Sequence, residues 1–298
     1  MEELTFLKNL FPKLKSDDSI VIKPGDDCAA ISWKDSKLQL IAVDQVVAEQ
    51  HFLTSTDAAR VGRKLLARNL SDIAAMGGTP CYALCTSAAD NSFNQSYHEE
   101  FMNGIIELAD AHDTQIIGGD VCGNPKGFVA TLTIIGEVEK DKVVTRDGSE
   151  AGDFLFATGT FGDSFHTEHH LDFSPRLQEG KWLADNRYAK GMLDISDGIL
   201  LDSMRLVKAG DNVSLQLFTK EIPSRTKGLP IKNILTDGED YELLFSVSAK
   251  NAEQLKKEWP FSTSLTCIGR FYEKSGQVEI INEEQVDLNK LFNTFSHF

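Results

Sequence analysis

Residues 56–88 read TDAARVGRKLLARNLSDIAAMGGTPCYALCTSA, a helix that runs into a strand. Thr56 or Asp57 can cap the helix, and Val61, Leu65, Leu66, Leu70, Ile73 and Ala74 recur at helical spacing before Gly77-Gly78 stops it. Residues 81–88 then fit a strand. Upstream, 5–11 suggest a short helix with Leu7, Leu10 and Phe11 on one side, and LQLIAVDQVV (38–47) is a strand with Asp44 near its end. Downstream, 97–112 is a second amphipathic helix. IIGGD (116–120) and FVATLTIIGEV (128–138) are strands parted by a Gly/Asn/Pro turn. The order strand, helix, strand, helix, strand, strand predicts an α/β unit of mixed pairing.

A polar stretch, EKDKVVTRDGSEAGD (139–153), separates this half from the strand FLFATGT (154–160). The boundary falls near residues 138–150, giving units 1–140 and 141–298. The second half repeats the style, with a strand near 154–158, a helix near 176–186 and strand MLDI at 192–195. A helix at 198–209 closes at Gly210, and strands follow at 213–218, 242–248 and 278–281. No internal repeat or low-complexity tract appears.

Composition bounds the partners. The 298 residues carry 41% hydrophobic and 25% charged side chains, which suits a soluble globular chain of two units. A formal charge of −15 argues against nucleic acid or an anionic membrane, either of which needs a basic face. The opening MEELTFLKNLF lacks the apolar region of a signal peptide, and no apolar run is long enough to span a bilayer. The five cysteines are odd in number and without CxxC spacing. Free thiols in a reducing cytoplasm are therefore expected, with Cys81 and Cys85 as small buried hydrophobes rather than a redox pair.

One pattern stands out against this background: aspartates placed where apolar runs break at glycine or enter a helix. They occur as Gly25-Asp26-Asp27, Asp44, Ser71-Asp72, Gly119-Asp120 and Asp194-Ile195-Ser196-Asp197-Gly198, with a further acidic stretch at 237–242. Carboxylates bordering core segments are costly unless paired, and few of these have Lys or Arg beside them in sequence. Two of them about 4 Å apart would repel by roughly 4 kcal/mol at an effective dielectric near 20. Divalent cations are the natural compensation, and an oxygen-only ligand set favours magnesium over zinc. Asp194 and Asp197 carry this furthest, because Ser196 or Asp197 can cap the helix that follows, and a helix start also attracts phosphate. The residues thus point to metal-dependent phosphate chemistry.

Other motifs are weaker. Walker A, Rossmann, protein-kinase and GxSxG signatures are absent. The glycine loop Thr158–Ser164 follows a strand and could cradle phosphate with its amides, although an ordinary turn is the better expectation. His166, His169 and His170 lie in a polar stretch that reads as a solvated loop rather than a zinc site. Arg146 suits either a phosphate contact or a surface position.

In order along the chain, GDDCA (25–29), the stretch from Asp44 to His51-Phe52, NLSDIAAMGGTP (69–80), IIGGD, TRDGSEAGD (145–153), TGTFGDS (158–164), DISDGIL (194–200) and GEDYELLF (238–245) resemble the thiamine-monophosphate kinases. The closing Phe295-Ser296-His297-Phe298 fits the same pattern. These kinases belong to the aminoimidazole-ribonucleotide-synthetase-like superfamily. The resemblance implies a two-domain α/β (α+β) fold, with an N-terminal mixed-sheet domain that forms a homodimer and a C-terminal domain that covers the active site. It implies transfer of the ATP γ-phosphoryl group to thiamine phosphate, giving thiamine diphosphate. It also implies that Asp27, Asp44, Asp72, Asp120, Asp194 and Asp197 bind several magnesium ions, and that Gly119, Asp120, Arg146 and Ser196 contact ATP. His51, Glu239 and Phe295 match substrate contacts, and Asp44, Asp120 and Arg146 match positions closest to the chemistry.

The chain departs from the family pattern in three places. Ala42 and Val43 stand where Ser or Thr hydroxyls usually precede the aspartate matching Asp44, Glu49 and Asp237 replace usual glycines, and the stretch between Ser164 and Ser174 is shorter by about a helix. These departures favour, as the competing expectation, a non-catalytic or altered-substrate relative that binds nucleotide or thiamine. A selenophosphate-synthetase-like reading lacks the reactive N-terminal cysteine that it needs.

Overall fold

The alternating apolar residues around Asp44 and Leu132 become the centre of a sheet. The computed structural model describes residues 3–34, 36–274 and 276–281. Its first half holds β1 (Ile20–Ile22), β2 (Ala29–Ser32), β3 (Lys37–Val47), β4 (Thr79–Ala89), β5 (Gln115–Gly123) and β6 (Phe128–Glu139), in the order β1-β2-β3-β6-β4-β5. All pairs are antiparallel except β4 with β5, so the sheet is mixed as expected. Helices α1 (Glu3–Leu10), α2 (Ala58–Ala75) and α3 (Gln95–Ala111) complete this half.

The second half builds another mixed six-stranded sheet, ordered β12-β9-β11-β7-β10-β8. Its strands are β7 (Phe154–Thr158), β8 (Met192–Asp194), β9 (Val213–Phe218), β10 (Leu243–Val247), β11 (Leu265–Glu273) and β12 (Val278–Ile281). The helices here are α4 (His169–Asp172), α5 (Leu177–Asp185), α6 (Ile199–Ala209), α7 (Ile231–Thr236) and α8 (Ala252–Glu258). No helix among the described residues is long and apolar enough to cross a membrane.

Helix α2 joins the two halves. Asp57 caps it, its carboxylate accepting from the Arg60 N–H at 3.1 Å. Val61, Leu65, Leu66, Leu70 and Ile73 are fully buried, and the helix packs on α3, β3, β6, α5 and α4. Its fit to α3 depends on glycine, since a Cβ on Gly104 would lie 1.9 Å from the Ala59 carbonyl oxygen and one on Gly62 1.9 Å from that of Phe101. Backbone cannot yield as a side-chain tip can. Gly104→Ala is therefore expected to cost about 3 kcal/mol of stability, read as a lower urea midpoint; an unchanged midpoint would show that the helices separate freely.

Candidate active site

Five segments bring acidic side chains to one cavity of about 670 Å³. The turn before β2 supplies Asp26 and Asp27, β3 supplies Asp44, α2 supplies Asp72, and the β8–α6 turn supplies Asp194, Ser196 and Asp197; the strap 237–242 adds Glu239 and Tyr241. At the centre, one oxygen each from Asp27, Asp72 and Asp194 lies within 4.8 Å of the others. Burial, then the charges of Asp44, Asp194 and Asp27, push the Asp72 carboxyl well above its ordinary value. Burial and Asp27 push Asp194 up to about 8, although the Ser71 hydroxyl donates to it at 2.5 Å. Such a site holds its carboxylates ionised only with added positive charge, and its donors are oxygens alone. That combination fits a hard divalent cation of the magnesium type.

Arginines distant in sequence provide part of the compensation. Arg146 contacts Asp27 through Nη2 at 2.5 Å and Nε at 3.3 Å, and donates from Nη1 to the Gly25 carbonyl at 3.0 Å. Its backbone N–H donates to Asp26 at 3.2 Å. Burial first, and then Asp27, raise Asp26 to about 6. Arg68 reaches Asp44 at 3.3 Å, while burial holds Asp44 above the usual carboxylate range. Arg205 bridges Asp197 and the fully buried Asp202. One orphaned buried atom belongs to a residue that lines the site: among the described residues, Arg68 Nε has no hydrogen-bond partner. An unpaired guanidinium N–H at an acidic cavity suits an anionic ligand such as phosphate.

The strap that carries Glu239 is held in unusual backbone. Glu239 has φ 61° and Tyr241 φ 50°, left-handed values that cost energy for non-glycine residues. Hydrogen bonds from the Glu239 N–H to the Ser196 carbonyl (2.7 Å) and from the Tyr241 N–H to the Ile195 carbonyl (2.8 Å) lock it to the β8–α6 turn. Glu239 is thereby set against the turn that follows Asp194.

Of the sequence-derived site residues, Asp27, Asp44, Asp72, Arg146, Asp194, Ser196, Asp197 and Glu239 line this cavity. Gly119 and Asp120 do not. They lie on β5, the exposed edge strand of the first sheet, which approaches β4 so closely that a Cβ on Gly119 would sit 1.8 Å from the Cys85 carbonyl oxygen. His51 lies in the turn after β3, where its Nδ1 accepts from the Val47 N–H at 3.0 Å. Phe295 lies outside the described residues.

Several local expectations change. Neither Ser196 nor Asp197 caps α6; the N-cap is Gly198, at φ 100°, and the Asp197 N–H instead donates to Asp202 at 3.0 Å. The glycine loop 158–164, in contrast, agrees with the preferred reading as a turn, since its Gly162 and Asp163 amides donate to Asp240 and Asp237. The histidine stretch is not uniformly solvated: His166 is exposed, but His170 is 3% exposed and stacked on Phe165. The added charges at Glu49 and Asp237 are used locally, on the Thr54 N–H at 2.8 Å and the Asp163 N–H at 2.9 Å. Glu49 takes φ 64°, the conformation for which glycine is suited.

Sequence reasoning missed Lys64, Arg68 and Arg205. The first two were legible as Lys64-x₃-Arg68-x₃-Asp72, one face of a helix. Leu7 of α1 and Phe11 just after it, with Lys208 and Ala209 of α6, also line the cavity and were read only as packing residues or not at all.

With this geometry in place, comparison with known proteins is decisive. The thiamine-monophosphate kinase of Escherichia coli (strain K12) is 31% identical over 296 residues, covering 90% of this chain and 90% of the relative. The chain belongs to the thiamine-monophosphate kinase family. The family relative from Bacillus subtilis (strain 168) is 28% identical over 327 residues and covers the whole of both chains. The family described as AIR synthase related protein, N-terminal domain, matches residues 25–138. A solved structure described as AaThiL complexed with AMPPCP and TMP superposes with a TM-score of 0.82 at 28% identity, covering 96% of this chain and 95% of that one. The two-sheet α/β architecture is thus that of the thiamine-monophosphate kinases.

Proposed function

We propose that the protein transfers the γ-phosphoryl group of ATP to thiamine phosphate, forming thiamine diphosphate and ADP. The observation that carries this reading is the meeting of Asp27, Asp72 and Asp194 with Arg146 in one cavity. The solved relative with an ATP analogue and TMP supports the two substrates.

Asp27, Asp44, Asp72, Asp194 and Asp197 would hold magnesium, with Asp27, Asp72 and Asp194 nearest one another. Bound there, the metal supplies charge neutralisation between the two approaching phosphates. The acceptor is already an anion, so no residue has to remove a proton from it. What the chain must do is position and exclude. Arg146 offers fixed positive charge beside Asp27, and Arg68, which lines the same cavity, offers a second cation to an acceptor phosphate. Ser196 lines the nucleotide side, while Glu239 and His51, with Phe295, serve the cationic thiamine side. Asp44 reaches the same cavity from β3 despite the neighbouring Ala42 and Val43.

Gly119 and Asp120 enter this reading through a homodimer. The outward face of the first sheet exposes Val43 (61%), Tyr82 and Ile117, an apolar surface that a second copy would cover. Pairing there puts Gly119 and Asp120 at an interface instead of in solvent. We also propose that residues 1–140 and 141–298 are the two domains. Sedimentation equilibrium giving only monomer would remove the dimer from the account.

The test of function is a magnesium-dependent assay of ADP release with thiamine phosphate beside free thiamine. Turnover is expected with thiamine phosphate alone and is lost on chelation. Tight binding of both ligands by folded protein without transfer would instead establish the binding-only alternative that Ala42 and Val43 favour.

A further inference from the structure

Lys64 is a fully buried lysine with all of its donor capacity spent inside the molecule. Its ammonium donates to the His51 carbonyl at 2.6 Å and to Glu239 Oε2 at 2.8 Å, and it meets His170 Nδ1 at 2.8 Å. The last contact makes Nδ1 the unprotonated ring nitrogen. The three partners come from separate segments: the turn after β3, helix α4 and the strap 237–242. Two of them, His51 and Glu239, are the described residues assigned above to the thiamine side.

Placing an ammonium where no water reaches it is expensive. A hydrophobic residue of similar size often does as well for stability. The arrangement does, however, divide the two oxygens of Glu239. Oε2 is taken by Lys64, with His170 at 3.4 Å. Among the described residues, Oε1 meets only the Tyr241 hydroxyl at 3.4 Å and Arg68 at 4.0 Å. Burial opposes ionisation of Glu239, yet the Lys64 ammonium and the Arg68 guanidinium hold the carboxyl well below the usual carboxylate range. The carboxylate is thus charged, pinned at one oxygen and available at the other, on a backbone whose φ of 61° would not hold it unaided.

We infer that Lys64 is a positioning residue for the acceptor: by pinning Glu239 Oε2 and the His51 turn together, it aims Oε1 at the cationic heteroaromatic ring of the substrate. This inference rests on the function proposed above and adds the means by which that subsite is selective. Among the described residues the Lys64 ammonium hydrogen-bonds His51, His170 and Glu239 and none of the clustered aspartates, so its loss is expected to act mainly on the thiamine side.

The test is calorimetric binding of thiamine phosphate and of ATP with magnesium to wild type, Lys64→Met, Glu239→Gln and the double variant. Lys64→Met is expected to weaken thiamine phosphate by about 10-fold or more while ATP affinity stays within about 2-fold. The double variant carries no unpaired buried charge, which guards against simple misfolding. It is expected to bind thiamine phosphate no more weakly than Glu239→Gln alone, because Lys64 acts through Glu239. Equal weakening of both ligands, unchanged thiamine phosphate binding, or losses that multiply in the double variant would overturn the inference. A wild type that binds thiamine phosphate but transfers nothing counts against the proposed function and leaves the Lys64 prediction standing; a wild type that does not bind thiamine phosphate overturns both.

Discussion

Replacing Asp72 by asparagine is expected to reduce magnesium-dependent turnover by about 10³-fold or more, while raising the melting temperature of the metal-free protein. Both effects come from the same charges. At 4.8 Å, the limit that contains the Asp27, Asp72 and Asp194 oxygens, two unit charges repel by about 3–4 kcal/mol at an effective dielectric near 20. Asp72 meets this repulsion from several sides, which is why burial and its acidic neighbours push its carboxyl so far up. Asparagine keeps the shape and removes one charge. Without metal the fold is relieved, by about 3 °C in melting temperature; with metal, a ligand and the charge that attracts it are both gone. Melting scans with and without magnesium, alongside initial rates, check this. Magnesium should stabilise wild type markedly and the variant little. Full activity, or a metal-free variant that melts lower than wild type, would show that the cluster is not the metal centre.

Arg146→Met is expected to lower kcat/KM for ATP by about 10²-fold to 10³-fold. The side chain joins the 25–27 turn to the second half of the chain by a forked contact with Asp27 and a bond to the Gly25 carbonyl, so it contributes both charge and registration. Removing it leaves Asp27 and the half-buried Asp26 without their nearby cation. Arg146→Lys restores a point charge but not the fork, and should recover about 10-fold of the loss. Steady-state rates at varied ATP and saturating thiamine phosphate distinguish the cases. If Arg146→Met moved only the thiamine phosphate KM, the nucleotide assignment would fail.

The α/β character and the long helix were readable because Val61, Leu65, Leu66 and Leu70 repeat at helical spacing and their neighbouring strands alternate. Strand β11 was not, since Leu265–Glu273 mixes polar residues through a bulge at Cys267/Gly269 and shows no clean period. Short β1, β2, α4, α7 and α8 hold too few residues to display one. In the site, the aspartates that the sequence singles out at the ends of apolar runs, Asp27, Asp44, Asp72, Asp194 and Asp197, meet in one cavity, for carboxylates there need a compensating group. Their partners were not visible, because pairs such as Arg146 with Asp27 depend on how two sheets fold together. Asp120 illustrates the converse. Its Gly-Gly-Asp setting looks like the others, but only strand order reveals that it falls on an outer edge. His170 was misread for a similar reason: a polar sequence around it says nothing of the helix and strap that bury it.

The most direct test of the central claim follows the transferred atom. With ATP labelled at the γ-phosphate, magnesium and thiamine phosphate, the label should appear in the terminal phosphate of thiamine diphosphate, at one per ADP formed. Label found only in inorganic phosphate, or retained in ATP bound to folded protein, would contradict the account.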